Sequence, residues 1–366
     1  FYAFEILVSP YVISHLKLTM MLENEGYSLK ENDRVQVYLT NTLNLSDTLN
    51  SLSGFLKDLS QETLMANTIK REKSILAVLG NPPYSVSSSN KSEFITNLMK
   101  DYKEGLKERN IQPLEDDYLK FIRFAQWKIE QKGEGVIGFI TNNSFLDGLI
   151  HRQMRKKLLG IFDKVYILNL HGDLRKKEKS PDGSKDENVF DIQQGVAISL
   201  FIKNKEIKQK GIFYYDLYGT RNKKYEFLYG NSASKVNWEE LKPKEPYYFL
   251  AKKDFSSKRK YDTFYKIDEM FVNGTCATVT GVDTLFVSIQ KKEIEEKSKK
   301  IFNKSVSEQE LKTEFGLTNE RTENIKEKRF KLNYEESNIQ KYTYRPFDEQ
   351  FIYYDVKLLE RAREKI

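Results

Sequence analysis

Apolar and polar positions alternate in short blocks over roughly the first 205 residues of the chain. Compact apolar runs predict strands over residues 2–8, 34–40, 75–79, 135–141, 165–170 and 196–202. Because residues 75–79 are apolar throughout, they predict a buried strand. This strand runs directly into Gly80-Asn81-Pro82-Pro83-Tyr84.

Apolar residues at helical spacing fill the stretches between these runs and predict helices over residues 10–25, 61–71, 92–107, 117–132 and 144–159. In the first helix Ile13, Leu16 and Met20 share one face. Strands separated by helices predict βαβ units, so we expect an α/β fold with a largely parallel sheet. Ligands should bind at the carboxyl ends of its strands.

The two strands 165–170 and 196–202 differ from the others because no helix is predicted between them. A polar loop over residues 171–188, rich in Lys, Asp and Glu, joins them. We therefore expect the sheet to finish in an antiparallel pair.

The chain changes character after Lys205. Tyr and Phe cluster with Lys over residues 213–229 and 247–265, and residues 289–336 are strongly charged and helix-prone. We place a domain boundary here, which gives a first domain over residues 1–205 and a second region of α+β character over residues 206–366.

Composition narrows the class of protein. With 366 residues, 39% of them hydrophobic, the chain can form the cores of two domains. No apolar run approaches the roughly 18 residues of a membrane span. Cys276 is the only cysteine and the 3 histidines are scattered, so neither a disulfide framework nor a zinc site is predicted. The net charge of +7 suits a polyanionic partner, although a well-solvated surface explains it equally well.

The tetrapeptide Asn81-Pro82-Pro83-Tyr84 is the strongest chemical signal in the sequence. A random chain of this length would contain it roughly once in a thousand. A purely structural alternative is a proline turn after a strand, with Tyr84 packing as a core aromatic. The preceding strand and following helices favour a functional loop at the mouth of an α/β site.

These residue types suit a reaction at a planar amino group such as the exocyclic amine of adenine. Its nitrogen is a poor nucleophile because the lone pair is delocalised, so two acceptors must hold its two N–H groups. The Asn81 side-chain oxygen and the Pro82 carbonyl can serve, on a backbone stiffened by Pro82 and Pro83. Tyr84 can stack on the base, which contributes about 1–3 kcal/mol toward taking it out of a duplex.

With these residues the sequence resembles the adenine-specific (N6) DNA methyltransferases of restriction-modification systems, most of all the single-chain Type ISP enzymes. The stretches that carry the resemblance are residues 1–18, 80–85, 135–146 and 190–198. The resemblance implies a Rossmann-like class I sheet, S-adenosyl-L-methionine as cofactor, double-stranded DNA as partner, and a cytoplasmic, nucleoid-associated bacterial protein.

The resemblance also assigns site residues. Glu5 matches the acidic residue that binds the cofactor ribose, and Asn41 matches the residue near the cofactor adenine. Phe190 matches an aromatic that stacks on the face of the base opposite Tyr84. Each has a structural alternative: a surface glutamate, a turn cap and a core phenylalanine. Asn142 and Asn143 could line the site or cap the following helix.

Members of that family carry a glycine-rich cofactor loop after a strand that precedes the position of Phe1. We find no substitute within residues 1–366, so we expect the chain to be a fragment in which cofactor binding is weak or absent. The likeness continues more loosely through residues 280–284, 344–348 and 353–355. It implies that residues 206–366 connect to the target-recognition region, with nuclease or helicase parts elsewhere in the parent polypeptide.

Two other functions remain open at this point. A protein glutamine methyltransferase faces the same problem of a planar nitrogen, although residues 206–366 exceed its compact catalytic domain. The chain could also be an inactive piece that binds DNA or acts as a scaffold. Lysines and arginines within residues 175–179 and 252–260 could contact phosphates, but a solvated face is the simpler explanation.

Overall fold

The computed structural model describes residues 1–30, 33–45, 55–84, 88–271 and 277–362, with residues 55–60 and 268 described by their backbone alone. Cys276, and Ser85 at the end of the family-like stretch 80–85, lie outside the described residues. The chain divides into two compact units, unit 1 over Phe1–Phe255 and unit 2 over Ser256–Ile366.

Unit 1 alternates strands and helices for most of its length. In chain order its elements are β1 (Ala3–Glu5), α1 (Val8–Asn24), β2 (Val37–Leu39), α2 (Phe55–Glu72), β3 (Ala77–Gly80), α3 (Glu93–Lys103), α4 (Asp117–Lys132), β4 (Gly135–Asn142), α5 (Arg152–Ile161), β5 (Lys164–His171), β6 (Val196–Lys203), β7 (Gly211–Asp216), α6 (Arg221–Gly230) and β8 (Glu239–Glu240).

A six-stranded mixed sheet with the order β3-β4-β6-β5-β7-β8 organises unit 1. Strand β3 is parallel to β4 and β5 is parallel to β7, whereas β6 lies antiparallel between β4 and β5. Four strands therefore run in the same direction and end at the same edge. The predicted α/β fold is confirmed, as is the antiparallel pairing of the strands on either side of the 172–195 loop.

The sheet does not finish at that pair, because β7 and β8 extend it. Backbone hydrogen bonds between β5 and β7 tie residues beyond Lys205 to the strands before it, so unit 1 reaches Phe255. The structural division of the chain therefore lies at a different place from the change in composition near Lys205.

A separate parallel pair, β1 with β2, stands at the start of the chain, with Glu5 opposite Leu39. In the described residues this pair has no strand hydrogen bonds to the six-stranded sheet. Helix α1, which follows β1, has no buried residue, and Ile13, Leu16 and Met20 on its predicted apolar face are all exposed.

Strand β3 was expected to be buried, and that prediction is wrong. Leu79 is 76% exposed and Leu76, just before the strand, is also exposed. The physical reason is position: β3 is an edge strand that pairs with β4 alone among the described strands. A continuous apolar run indicates burial only where neighbours lie on both sides.

The predicted helix over residues 144–159 is shorter in the structure. Two 3-10 turns, Asn143–Leu146 and Leu149–His151, come first, and α5 begins only at Arg152. A Cβ at Gly148 would lie 2.4 Å from His151 Nδ1, so this turn needs the space that glycine leaves.

The main core of unit 1 lies between the six-stranded sheet and helices α3, α4 and α5. It includes Ile122, Ile137 and Phe201.

Unit 2 has its own core, which includes Leu285, Ile294 and Tyr353. A three-stranded antiparallel sheet of order β10-β11-β9 packs there with helices. The elements in chain order are α7 (Lys258–Tyr261), α8 (Ile267–Met270), α9 (Asp283–Phe286), β9 (Val287–Ser288), α10 (Lys291–Phe302), α11 (Glu308–Phe315), α12 (Asn319–Arg329), β10 (Ile339–Arg345) and β11 (Asp348–Tyr353).

A search of the described residues finds no helix with the length and apolar content needed to cross a bilayer.

Arg155 on α5 provides a test of how unit 1 is held together. Its fully buried guanidinium donates hydrogen bonds to the carbonyls of Phe145, Gly148 and Tyr247 at 2.6–2.8 Å. We expect Arg155→Met to lower the free energy of unfolding by about 3 kcal/mol, because it removes the donors to the Phe145 and Tyr247 carbonyls and one of the two donors to the Gly148 carbonyl.

Urea unfolding at equilibrium measures this change. Exposed Lys156, the next residue on α5, gives the matched control: Lys156→Met should cost less than about 0.5 kcal/mol. Equal losses in the two variants would contradict the assigned role of Arg155.

Candidate functional site

Asn81 begins the loop at the carboxyl end of β3. Gly80 pairs with Phe139 of β4, and a Cβ at Gly80 would lie 3.3 Å from the Phe139 ring, a close contact. Glycine therefore lets the end of β3 lie against that ring. Beyond it, Asn81 and Pro83 are exposed and Pro82 is buried, so the loop is anchored by one proline and presents the amide outward.

A cavity of about 870 Å³ opens beside this loop. The structure brings together around it five of the residues predicted for the site: Glu5, Asn41, Asn81, Pro82 and Pro83. Its remaining walls are mostly apolar and include side chains from α2, β3 and α4. A volume in this range suits a drug-sized ligand.

Tyr84 lies on a different side of the loop and is not among the described residues that line this cavity. Its hydroxyl lies 3.1 Å from Asn81 Oδ1 and 3.3 Å from the Ile140 carbonyl, both of which can accept its proton. Its ring packs edge-on against Tyr118. Burial, and then the negative charge of Asp116, raise the pKa of Tyr84, so its hydroxyl is a neutral donor.

Phe190 lies in the loop between β5 and β6 and is half-buried. It packs against a hydrophobic cluster that Tyr84 also contacts, built on Leu168, Leu170 and Val196. The structure thus places the two predicted stacking aromatics against one cluster and leaves them outside the lining of the 870 Å³ cavity.

Glu5 ends β1 at the cavity wall. Its Oε1 accepts hydrogen bonds from the backbone N–H groups of Ile6 and Leu7, both at 2.8 Å. These bonds fix the carboxylate just before α1 begins. A surface glutamate was the alternative, and in the structure Glu5 is half-buried in the cavity wall.

Asn41 follows β2 and has both ends of its side-chain amide engaged. Oδ1 accepts from the N–H of Leu43 at 2.9 Å, as expected of a residue that caps a turn, and Nδ2 donates to Asn90 Oδ1 at 2.7 Å. The turn-capping alternative is therefore observed, and Asn41 lines the cavity as well.

Asn90 and Lys70 also line the cavity and were not singled out from the sequence. Lys70 is buried, and its ammonium donates to the carbonyls of Asn41 and Asn44 at 2.9 and 3.0 Å. Burial, and to a smaller extent the charge of Arg71, lower its pKa to about 7. A lysine in the last turn of a predicted helix looks like an ordinary surface residue, so nothing in the sequence marked it.

A buried polar cluster fixes the position of Asn90. Its Nδ2 donates to Asp117 Oδ1 at 2.9 Å, and Ser88 donates to the same oxygen. Lys120 donates to Ser88 Oγ and to the Asn90 carbonyl at 3.0 and 2.6 Å. Helix α4 thereby holds the far end of the loop that begins with Asn81.

Asn142, the last residue of β4, and Asn143, which follows it, both have structural partners. Asn142 Oδ1 accepts from the Ser144 N–H at 2.8 Å and caps the 3-10 turn, and Asn143 Nδ2 donates to Asn169 Oδ1 at 3.1 Å. Asn142 therefore fits the alternative in which it caps the turn that follows β4.

The basic stretches contain several lysines that already pair with carboxylates. Lys252 pairs with Glu239, and Lys253 with Asp147. Such pairs agree with a solvated face and favour it over a dedicated phosphate contact. Among the described residues, no group of three or more His, Cys, Asp or Glu side chains is arranged to hold a metal ion.

At the edge where β5 ends, His171 has a positive φ of 53° and a buried ring. Its Nδ1 lies 2.7 Å from Glu178 Oε1 and its Nε2 lies 2.8 Å from Asp216 Oδ1. Burial alone would lower the pKa of His171, but hydrogen bonds to the Asp216 and Glu178 carboxylates outweigh it and raise the pKa. The imidazole thus ties the loop that carries Phe190 to β7.

Comparison with protein families gives two matches. Residues 2–173 match the family model described as Eco57I restriction-modification methylase, and residues 269–366 match the one described as Type ISP C-terminal specificity domain. A comparison with curated proteins finds no match.

Solved structures with the same fold cover nearly the whole chain. A nuclease-deletion mutant of the Type ISP restriction-modification enzyme LlaGI, in complex with a DNA substrate mimic, aligns with 99% of this chain at 23% identity and a TM-score of 0.70. The ATP-dependent Type ISP enzyme LlaBIII, bound to DNA, aligns with 98% at 25% identity and 0.69. A DrdV–DNA complex aligns with 98% at 22% identity and 0.67.

The chain spans 32%, 26% and 38% of those three proteins, about a third of their length. The resemblance drawn from the sequence motifs is confirmed: the chain combines an Eco57I restriction-modification methylase domain with a Type ISP C-terminal specificity domain.

Proposed function

We propose that this chain carries the catalytic centre of a DNA methyltransferase that moves a methyl group from S-adenosyl-L-methionine to the N6 amino group of an adenine extruded from duplex DNA. The observation that carries the proposal is the exposed amide of Asn81, presented at a cavity of about 870 Å³ by a loop that the buried Pro82 anchors. The family of residues 2–173 is a methylase family, which supports methyl transfer in general terms.

The cavity fits a nucleoside-containing methyl donor. Its walls are largely apolar, which suits a purine ring, and Glu5 offers a carboxylate for ribose hydroxyls. Asn41 and Asn90, tied to each other, lie in the same wall and would face the cofactor's adenine. When bound, the cofactor supplies an electrophilic methyl group, so positioning of the acceptor nitrogen accounts for most of the catalysis.

Asn81 is the group that holds the target amine. A carboxamide oxygen has two lone pairs, and the Tyr84 hydroxyl uses one of them at 3.1 Å. The contact orients the amide and leaves the second lone pair for an N–H of the substrate. The Pro82 carbonyl takes the other N–H, and the nitrogen lone pair is then directed toward the methyl donor.

Tyr84 and Phe190 would hold the two faces of the extruded base. Both rings pack against the cluster built on Leu168, Leu170 and Val196, so a base that enters between them replaces solvent with aromatic surface. Double-stranded DNA is the proposed partner, in keeping with the DNA complexes of LlaGI, LlaBIII and DrdV. Residues 206–366 would lead from the catalytic region into target recognition, and the parent polypeptide would add nuclease or helicase parts.

The first test removes the proposed acceptor. In the full-length polypeptide, Asn81→Ala should lower kcat for transfer of a labelled methyl group to duplex DNA by about a hundredfold or more, because it deletes a bond made at the reacting nitrogen. The dissociation constant for DNA should stay within about twofold. Asn97→Ala, at an exposed asparagine on α3, is the matched control and should keep full activity. An Asn81→Ala enzyme that retains most of its rate would exclude the proposed role.

The second test concerns base stacking. With a fluorescent adenine analogue at the target position, we expect Tyr84→Ala and Phe190→Ala each to weaken capture of the extruded base by about tenfold, a loss within the range for one stacking partner. Tyr84→Phe should change base capture only mildly in this assay, because the stacking ring remains. If analogue fluorescence on binding were the same in Tyr84→Ala and the parent enzyme, Tyr84 would not contact the base.

The third test concerns the cofactor and distinguishes an enzyme from an inert DNA-binding piece. Glu5→Gln keeps an oxygen to cap Ile6 and Leu7 but removes the charge. We expect it to weaken S-adenosyl-L-methionine binding by about tenfold in calorimetry, because the hydrogen bond from the ribose would then be made to a neutral amide and no longer to a carboxylate. Glu23→Gln, at an exposed glutamate on α1, should change nothing. Absence of measurable cofactor binding by the full-length polypeptide would favour the scaffold alternative.

A further inference from the structure

The loop of residues 172–195 carries Phe190 and is long for a connection between two adjacent strands of one sheet. Such loops are mobile unless other elements hold their backbone. Residues 187–190 of this loop are held by α6, in the part of unit 1 that lies outside both family matches.

Four consecutive backbone carbonyls of this loop accept hydrogen bonds from side chains of α6. The Glu187 carbonyl accepts from Lys224 at 2.6 Å, and the Val189 carbonyl accepts from the Tyr225 hydroxyl at 2.6 Å. Arg221 donates to the two remaining carbonyls, those of Asn188 at 2.8 Å and Phe190 at 3.0 Å.

Arg221, Lys224 and Tyr225 stand at i, i+3 and i+4, so they share one face of the helix. All four contacts are made to the main chain. They therefore fix the course of the backbone at residues 187–190. The Phe190 side chain remains available to pack against the cluster built on Leu168, Leu170 and Val196.

A buried ion pair anchors the base of this arrangement. Lys224 Nζ lies 2.8 Å from Asp186 Oδ1, and neither side chain is exposed. Asp186 also accepts from the N–H of Gly172 at 2.7 Å and from that of Gly219 at 2.8 Å. Gly172 has a φ of +80°, and a Cβ there would lie 2.5 Å from Asn188 Cα, so the first residue of the loop lies in close contact with the backbone at residue 188.

We propose that α6, through Arg221 and Tyr225 and with Lys224 as its anchor, positions Phe190 opposite Tyr84 for stacking on the extruded base. The inference rests on the proposed function and assigns positioning residues to it. Because Phe190 and Tyr84 pack against the same hydrophobic cluster, a shift of the 187–190 backbone changes the gap that a base must enter.

The test uses conservative variants, since removal of Lys224 would leave Asp186 buried without its partner and destabilise the fold. Tyr225→Phe removes only the hydroxyl that donates to Val189, and Arg221→Lys keeps the charge but loses the two-pronged contact. Tyr229→Phe is the matched control, because Tyr229 stands one turn further along α6 and is 92% exposed.

In the full-length polypeptide we expect Tyr225→Phe and Arg221→Lys each to lower the fluorescence change of an adenine analogue on DNA binding, and kcat for methyl transfer, by about three- to tenfold. Cofactor affinity and thermal unfolding midpoint should match the parent, and Tyr229→Phe should match it in every measurement. Parent-like fluorescence and kcat in both variants overturn the proposal. The proposal is also overturned if the loss of fluorescence change or kcat is accompanied by a lowered thermal unfolding midpoint.

The experiment separates this inference from the function on which it rests. If the parent does not methylate adenine in DNA, the proposed function fails. If the parent methylates adenine and Phe190→Ala impairs base capture while Tyr225→Phe and Arg221→Lys do not, only the role of α6 fails.

Discussion

The parallel pairing of β3 with β4 is the constraint on which the candidate site depends. It sets Gly80 opposite Phe139, and the absence of a side chain at Gly80 lets the end of β3 lie against the aromatic ring. The chain then leaves the sheet through two prolines, whose fixed backbone angles allow little freedom in where the Asn81 amide lies. Strand pairing and proline stiffness thus determine the geometry of the loop before any ligand contacts it.

Buried lysine and arginine side chains hold several loops of unit 1 in place. Lys70, Lys120, Arg155 and Lys224 are all buried and donate to backbone carbonyls. A loop cannot satisfy its own carbonyls as a helix does, and a cation with several donors can satisfy two or three at once. The loops near the candidate site are therefore held by helices α2, α4, α5 and α6.

Much of this architecture could be predicted from sequence. Strands β1 to β6, helices α1 to α5 and the α/β class followed from periodicity, and the Asn81 loop followed from its residues. Strands β7 to β11 were not predicted. The burial of β3 could not be predicted, because an apolar run looks the same in a central strand and at an edge. The extent of unit 1 was also hidden, since the β5–β7 pairing is a long-range contact that leaves no local pattern.

Among site residues, those with unusual local chemistry were found and those defined by tertiary contacts were missed. Asn81 and its prolines form a motif that chance does not explain. Lys70 and Asn90 reach the cavity only because α2 and α4 pack beside it, and Arg221 and Tyr225 contact the 187–190 backbone across a long stretch of sequence. Nothing local distinguishes these residues from the many other lysines, asparagines and tyrosines of the chain.

The unpaired side of β3 has a consequence for the surface that a ligand meets. Among the described residues this side pairs with no other strand, and Leu76 and Leu79 lie in the wall of the 870 Å³ cavity. The apolar surface that these two residues expose is therefore cavity surface, which a bound ligand can shield from water.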